Sequence, residues 1–573
     1  MPNERSIPTQ AAPSVVTLTV LSDGNAVPAV HQLLSVVVSH ELNRIPAATL
    51  VFRDGDPAAQ TFESSNTKLF VPGAEIEVKA GYRAQEDTIF KGVVVKHGLK
   101  IRDQRSTLVV ECRDETYKMS IKPKSRYFRD QTDSEMIEDI IRENGLGSAV
   151  ESTSLRYGEV IQFDATDWDF IMMRAEMNGL LCTVEDGQLT IKPPDYQQAP
   201  ALTLQYGATI MEFDAEMDAR NQFESVQSVA WDAAEQAIVE GESGTAAVVE
   251  AGNITSGQLA KVHGSSPYQQ YHTGGLSSAE LTNWSAAKLL KSKMAKITGR
   301  VKFQGTQAIK VGQLLKLQGV GERFEGNVLV SGLRHQVANG NWTIDAQIGL
   351  SPEWFSERYE VHAPQAAGLV PAVSGLQIGV VTQLQDDPEG AFRIMVRLPT
   401  VNAEEEGTWA RLSAFDAGDS RGAFFLPEIG DEVVVGFLNN DPRQAIVLGA
   451  LHSSAKPAPL EAADDNHEKG IVTRSGIRLI FDDDKKDVLL ETPDGHRLLL
   501  SGENQAIELE DASGNKLVMD GGGVTIESAA DITFKATGNF TAEGVNVEAK
   551  ASASATLEGS ATTTVKGGLV QIN

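Results

Sequence analysis

VNVEAKASASATLEGSATTTV, residues 545–565, alternates along its whole length: every odd position except Thr563 is Val, Ala, Leu or Gly, and every even position is polar. A period of two puts each set on its own face of a β-strand, so one face is small and dry. Alanine buries too little surface for such a face to be covered within one chain. Copies of the same strand wound about a common axis would hold the small residues in a narrow core and give every strand edge a neighbour. The pattern predicts a homotrimer with a rigid C-terminal β-needle. An aggregating low-complexity tail or a disordered linker is the bland alternative, and the strict alternation with interspersed Glu and Lys opposes both.

Working backwards, the apolar members between Val524 and Ala542 fall on even numbers (Val524, Ile526, Ile532, Phe534, Phe540), so the phase slips near Gly544. The expected trimer core is Val524, Ile526, Ile532, Phe534, Val545, Val547, Leu557 and Val565. Upstream, the short strands IRLIF, DVLLE, HRLLL, AIELE and KLVMD alternate with the turns DDDKK, TPDG, SGENQ and DASGN, an internal repeat. The needle is placed at 471–573, after a polar connector at 453–470.

Residues 376–452 read as strand, turn, strand throughout, with a turn at Asn440-Asp-Pro442, and suit a small closed barrel such as an OB-fold. The stretch EVHAPQAAGLVPAVSG at 360–375 has linker composition and marks a domain boundary. The first 365 residues are expected to be β-rich with helices near 132–145, 166–178 and 278–297. Thr132 with Glu135 forms a capping-box pattern, and Asp169 follows Thr166 at the same interval. In the third helix, Leu281, Trp284, Ala287, Leu290 and Met294 trace one face and leave Lys288, Lys291 and Lys293 outside it. Few large apolar residues occur at 240–275, which predicts an exposed loop.

The chain has 573 residues, enough for several folding units, and a formal net charge of -28. Such a balance repels polyanions, so nucleic acid is not an expected partner, and an assembly of acidic copies demands an apolar, obligate interface. Only Cys112 and Cys182 are present, too few for a disulfide framework or a zinc site. No basic segment with an apolar core opens the chain, so folding in the cytoplasm without a signal peptide is expected.

Chemical motifs are weak. Gly418-Asp-Ser420-Arg-Gly422 matches a nucleophile pattern that needs a strand-to-helix turn, yet the residues after it read as β. His452, Asp464, Asp465, His467 and Glu468 sit in the connector without metal-site spacing, and Asp482-Asp483-Asp484 lacks the Gly and distal Glu of a calcium loop. No catalytic residue, metal or cofactor is expected.

These residues together resemble the VgrG-type spike of contractile injection systems, which fuses the hub and spike of a phage baseplate. The resemblance rests on Asp167-Trp-Asp-Phe-Ile171 with Asn178-Gly179 and on Gly312, Phe324, Gly326 and His335. It is most specific in Phe425-Leu-Pro427-Glu-Ile-Gly430-Asp-Glu-Val433, continuing through Asn440-Asp-Pro442 and Gly449, with Pro399, Trp409 and Arg411 before it. It implies a mainly β fold: two hub β-barrels with a few helices, an OB-fold barrel, and a trimeric intertwined β-helix or β-prism. It further implies a sixfold inner tube docked on the hub, baseplate partners, effector cargo, transient contact with the target membrane, and a PAAR-type cap. The cap would land on Leu569, Val570, Ile572 and Asn573. The connector is too short for the lysozyme that the phage spike carries, so penetration is expected to be mechanical, as part of a secreted or extracellular particle or of a type VI apparatus. Two rival classes remain, a serine or cell-wall hydrolase and a trimeric receptor-binding tail fibre.

Overall fold

A computed structural model describes residues 15–102, 105–246 and 248–572. Two compact units divide between Ala367 and Gly368, inside the stretch with linker composition.

In the N-terminal unit, thirteen strands share one sheet. Two apolar cores lie along it. The first gathers Val36, Val38, Leu50, Phe52, Phe70, Ile76, Val78, Leu108, Val110 and Trp342, and the second gathers Leu204, Val301, Phe303, Leu315, Leu317, Val330 and Ile344. Each comes from alternate residues of its strands, as in Ala47–Arg53, where Ala48, Leu50 and Phe52 are buried. One continuous sheet serves both cores, because strand Gly326–Ala338 pairs with Leu33–Glu41 from Gly332↔Glu41 to Ala338↔Ser35. Main-chain hydrogen bonds thus join the halves. Gly305 is required beside the first core, since a Cβ there would stand 2.1 Å from the Trp342 ring.

The helices begin where the caps predict. Helix α1, Asp133–Glu143, starts at a capping box: Glu135 N donates to Thr132 Oγ1 at 3.3 Å and Thr132 N donates to Glu135 Oε2 at 2.8 Å. Helix α2, Asp167–Met177, is capped by Thr166, which accepts from Asp169 N at 3.1 Å. The two share a third core built from Met136, Ile137, Ile140, Ile141, Phe170, Ile171 and Met172. Asp167 is buried where α2 starts and accepts hydrogen bonds from Lys124 (2.5 Å), Arg126 (2.7 Å), Asn144 (2.9 Å) and Gln162 (3.2 Å). Asp133, also buried, takes Arg174 at 2.5 Å and Asn178 at 2.8 Å. The Asp-Trp-Asp-Phe segment and the Asn-Gly stop therefore wire α1, α2 and the strand Pro123–Thr132 together.

The 240–275 stretch departs from the expected loop. It holds the end of strand Ala237–Glu242, the short helix α3 at Ser256–Ala260 and the strand Tyr268–His272. The overlooked signals are the Thr255/Gln258 capping box and the pairing of Tyr268–His272 alongside Val226–Asp232. Helix α4, Ser278–Met294, follows its own Ser277/Glu280 box. Lys288 is not outside its packed face. It is buried over the rings of Tyr268 (5.7 Å) and Trp354 (5.5 Å), and its Nζ donates to Pro352 O at 3.2 Å.

The C-terminal unit opens with a closed barrel of five strands, Gln377–Gln383, Arg393–Arg397, Thr408–Leu412, Ala445–Ala450 and Glu432–Phe437. Val381, Ile394, Val396, Ala410, Val433, Val435 and Val447 fill it. Gly379 lets the wall close, because a Cβ there would lie 2.4 Å from Val396. The Phe425–Val433 motif ties the loop before the fourth strand of the chain order to the first: Gly430 N donates to Val381 O at 2.7 Å and Glu428 N to Asp431 Oδ2 at 2.8 Å.

Candidate assembly surface

Beyond the barrel, seven strands form one antiparallel meander: Glu468–Val472, Arg478–Asp482, Asp487–Glu491, Arg497–Ser501, Ala506–Glu510, Lys516–Asp520 and Gly523–Glu527. The second to sixth coincide with the repeat read from the sequence. Strand pairing over 468–527 is therefore within one chain, where an intertwined pairing is expected, because tight turns return each five-residue strand onto its predecessor. In one of them, Asp482 Oδ1 accepts from Asp484 N (3.1 Å) and Lys485 N (3.0 Å), and these bonds, the Lys485 amide first, hold its carboxyl below the usual range. Asp482 closes a hairpin turn with the oxygen a cation would need.

Register sorts the side chains of this sheet onto two unlike faces. On one, Arg478↔Glu491, Glu491↔Arg497, Arg497↔Glu510, Glu510↔Lys516 and Lys516↔Glu527 are successive cross-strand partners, a row that alternates in sign at every step. Arg478 reaches Glu491 at 3.9 Å, Lys516 reaches Glu510 at 3.2 Å and Arg497 reaches Glu508 at 3.3 Å. On the other face the partners are apolar throughout: Leu479↔Leu490, Leu490↔Leu498, Leu498↔Leu509 and Leu509↔Leu517, flanked by Phe481↔Val488, Val488↔Leu500 and Leu500↔Ile507. Met519↔Val524 and Leu517↔Ile526 extend it.

Nothing in the described chain covers this second face. Phe481, Leu490, Leu500, Ile507, Leu509, Met519, Val524 and Ile526 are all between 39% and 66% exposed. Covering the remaining surface of side chains this size is worth about 1 kcal/mol each, on the order of 10 kcal/mol per chain. A contiguous apolar surface of that kind marks an interface. In each strand from Arg478 to Asp520 the second and fourth residues are apolar and the first and last are mostly polar, a signal that was available in the repeat. The alternation from Val524 onward marks only part of this face, and Leu479 to Met519 belong to it as well.

Of the predicted core residues, Val524 and Ile526 thus join the apolar face. Ile532, Phe534, Val545, Val547, Leu557 and Val565 lie beyond the sheet in 528–572, where the described residues carry no strand, and all are exposed, from 48% at Ile532 upward. Phe534 meets Phe540, ring centroids 5.8 Å apart. Of the predicted cap site, Leu569, Val570 and Ile572 are exposed and Asn573 lies outside the described residues.

The chemical motifs remain scattered. Ser420 sits between two-residue strands, Ala417–Gly418 and Arg421–Gly422, and its Oγ donates to Asp419 at 3.2 Å, a hairpin without a following helix. His467 lies 3.8 Å from Asp465 in the connector, and no group of three metal-type ligands occurs among the described residues. Cys112 and Cys182 are buried free thiols, and burial pushes the Cys112 thiol up to about 12 and that of Cys182 higher still.

Known proteins match these regions one by one. Residues 377–452 fit the model of the type VI secretion system/phage-baseplate injector OB domain, and 487–573 fit that of the phage baseplate V C-terminal trimerisation domain. The type VI secretion system spike protein VgrG1b of Pseudomonas aeruginosa is 23% identical over 387 residues, 61% of this chain and 50% of that protein. VgrG1a of the same organism is 27% identical over 190 residues, 31% of this chain and 29% of that protein. The chain spans half or less of the length of these relatives. A 43 kDa tail protein of prophage MuSo2 from Shewanella oneidensis superposes with a TM-score of 0.44 at 13% identity, over 59% of this chain and 98% of that one. The two shorter models and these relatives make the chain similar to the VgrG-type spikes of contractile injection systems. The chain belongs to the family of the Alg8 N-terminal domain, whose model matches residues 12–339, more than half of its length.

Proposed function

We propose that three copies of this chain form the hub and spike of a contractile injection apparatus, with no catalytic step of their own. The observation that carries this reading is the uncovered apolar face of the 468–527 sheet, followed by the alternating segment that no strand among the described residues partners. A threefold arrangement covers that face with its own copies and puts Val524, Ile526, Ile532, Phe534, Val545, Val547, Leu557 and Val565 along one axis. The N-terminal unit then docks the sixfold inner tube and the baseplate, and the far end takes a PAAR-type cap on Leu569, Val570 and Ile572. Penetration is driven by contraction, with cargo carried by other proteins. Assembly takes place in the producing cell before the particle or apparatus is deployed.

Native mass together with a low-resolution image tests the proposal: a trimer with a projecting rod is expected, and a monomer, or a trimer without a rod, overturns it. Deleting residues 567–573 is expected to abolish cap binding and leave the trimer intact. Unchanged cap binding refutes the tip assignment. Replacing Ser420 and His467 by Ala is expected to leave particle activity unchanged, and lost activity with normal assembly would favour an enzyme.

A further inference from the structure

In the N-terminal unit, strands Ala237–Glu242, Val226–Asp232 and Tyr268–His272 form a separate three-stranded sheet. Its inner face packs on α4: a Cβ on Gly241 would stand 2.4 Å from Thr282 N, and buried Ser285 Oγ donates to Gly241 O at 2.8 Å. Among the described residues nothing covers the outer face. Trp231 and Ile238 are direct cross-strand partners, and Val229 pairs with Glu240 on one side and Tyr271 on the other. Trp231, Ile238 and Tyr271 are 45%, 62% and 69% exposed.

Hydrogen bonds also tie the strands of this face together. Gln269 Nε2 donates to Gln227 Oε1 at 3.0 Å, and Gln227 Nε2 donates to Glu240 Oε2 at 2.8 Å, so a hydrogen-bonded row crosses all three strands beside the aromatic patch. Its rim carries one sign. From Asn221 to Ala260 the chain has six carboxylates and no Lys or Arg. Glu224 and Glu250 are paired with Lys261 and Lys296, whereas Asp232, Glu235, Glu240 and Glu242 meet no cation among the described residues.

We infer that this face is a docking surface for a protein segment that presents apolar side chains flanked by Lys or Arg. A preorganised aromatic patch supplies the anchor, and the unpaired carboxylates supply steering and selection. Charge argues against a second copy as occupant: the chain carries -28 overall, so self-association on an acidic rim adds like charge. The inference does not rest on the spike reading, since it concerns a sheet remote in sequence from the apolar meander.

The test uses full-length protein and two short fluorescein-labelled peptides, one alternating valine with lysine and the other valine with glutamate, read by fluorescence anisotropy at physiological salt. The lysine peptide is expected to bind and the glutamate peptide not. Trp231→Ser should weaken binding about tenfold or more, as truncating a central aromatic anchor does. The pair Glu240→Lys with Glu242→Lys should weaken the lysine peptide and admit the glutamate peptide. All three positions are exposed, so unchanged thermal unfolding serves as the folding control. The proposal fails if wild-type protein does not bind the lysine peptide, or if Trp231→Ser binds it as wild type does, which would mean general charge attraction. It also fails if Trp231→Ser changes the sedimentation of the protein alone, which would make the face a contact between copies.

Discussion

Leu50 and Leu500 both stand in short apolar strands, yet Leu50 is fully buried and Leu500 is 41% exposed. The strand of Leu50, Ala47–Arg53, lies on a sheet whose other strands and loops close a core over it. The strand of Leu500, Arg497–Ser501, lies in a meander with only one layer. Both regions are built of apolar strands, so the difference lies in whether the same chain supplies a second layer over that face. Amphipathic strands without that layer are addressed to another molecule.

The sharpest way to break the contrast is to place charge on the uncovered face. Leu490→Asp with Leu500→Asp is expected to convert the assembled protein to monomers in sedimentation while the N-terminal unit keeps its unfolding transition. A buried unpaired carboxylate costs several kcal/mol at each interface. Unchanged mass would mean that the face is not covered by copies. Next in size, Asp133→Ala or Asp167→Ala leaves Arg174, or Lys124 and Arg126, without a buried partner. Each should cost about 3–5 kcal/mol in denaturant unfolding of the N-terminal unit and leave the mass unchanged.

The third prediction concerns acid. His335 is buried against Trp342, its Nδ1 has no hydrogen-bond partner, and burial followed by the neighbouring His40 lowers its pKa to about 3. The unfolded chain binds a proton at a pH where the folded chain does not, so the contribution is complete above about 6.5 and drains away as pH falls towards 3. Thermal midpoints measured across that window should fall for wild type and fall less for His335→Phe. The smallest effect belongs to the charged row: Glu491→Gln should cost about 0.5–1 kcal/mol at low salt and less at high salt.

Much of this was legible in the sequence. A capping box located α1 and a Thr166 cap located α2, and the strand-and-turn repeat located five strands of the meander to within a residue, because caps and tight turns are local chemistry. The barrel at 377–452 was legible for the same reason, its turn residues lying close in sequence to the strands they join. Continuity of the N-terminal sheet was not, since it depends on Leu33–Glu41 pairing with a strand almost three hundred residues away, which no local pattern encodes. The placing of Lys288 failed because a lysine stem can line an apolar face while its ammonium rests on aromatic rings. Polar and small residues at 240–275 concealed two short elements held chiefly by neighbours.

The row from Arg478 to Glu527 has one more consequence. Its three cations and three anions cancel, and from Ala529 to Asn573 three lysines face four carboxylates, in a chain whose total is -28. Only the stretch after the sheet is near neutral, because between Arg478 and Glu527 the whole segment has five cations against twelve carboxylates. Copies that meet over this sheet repel one another through that surplus, so their association should strengthen as salt rises.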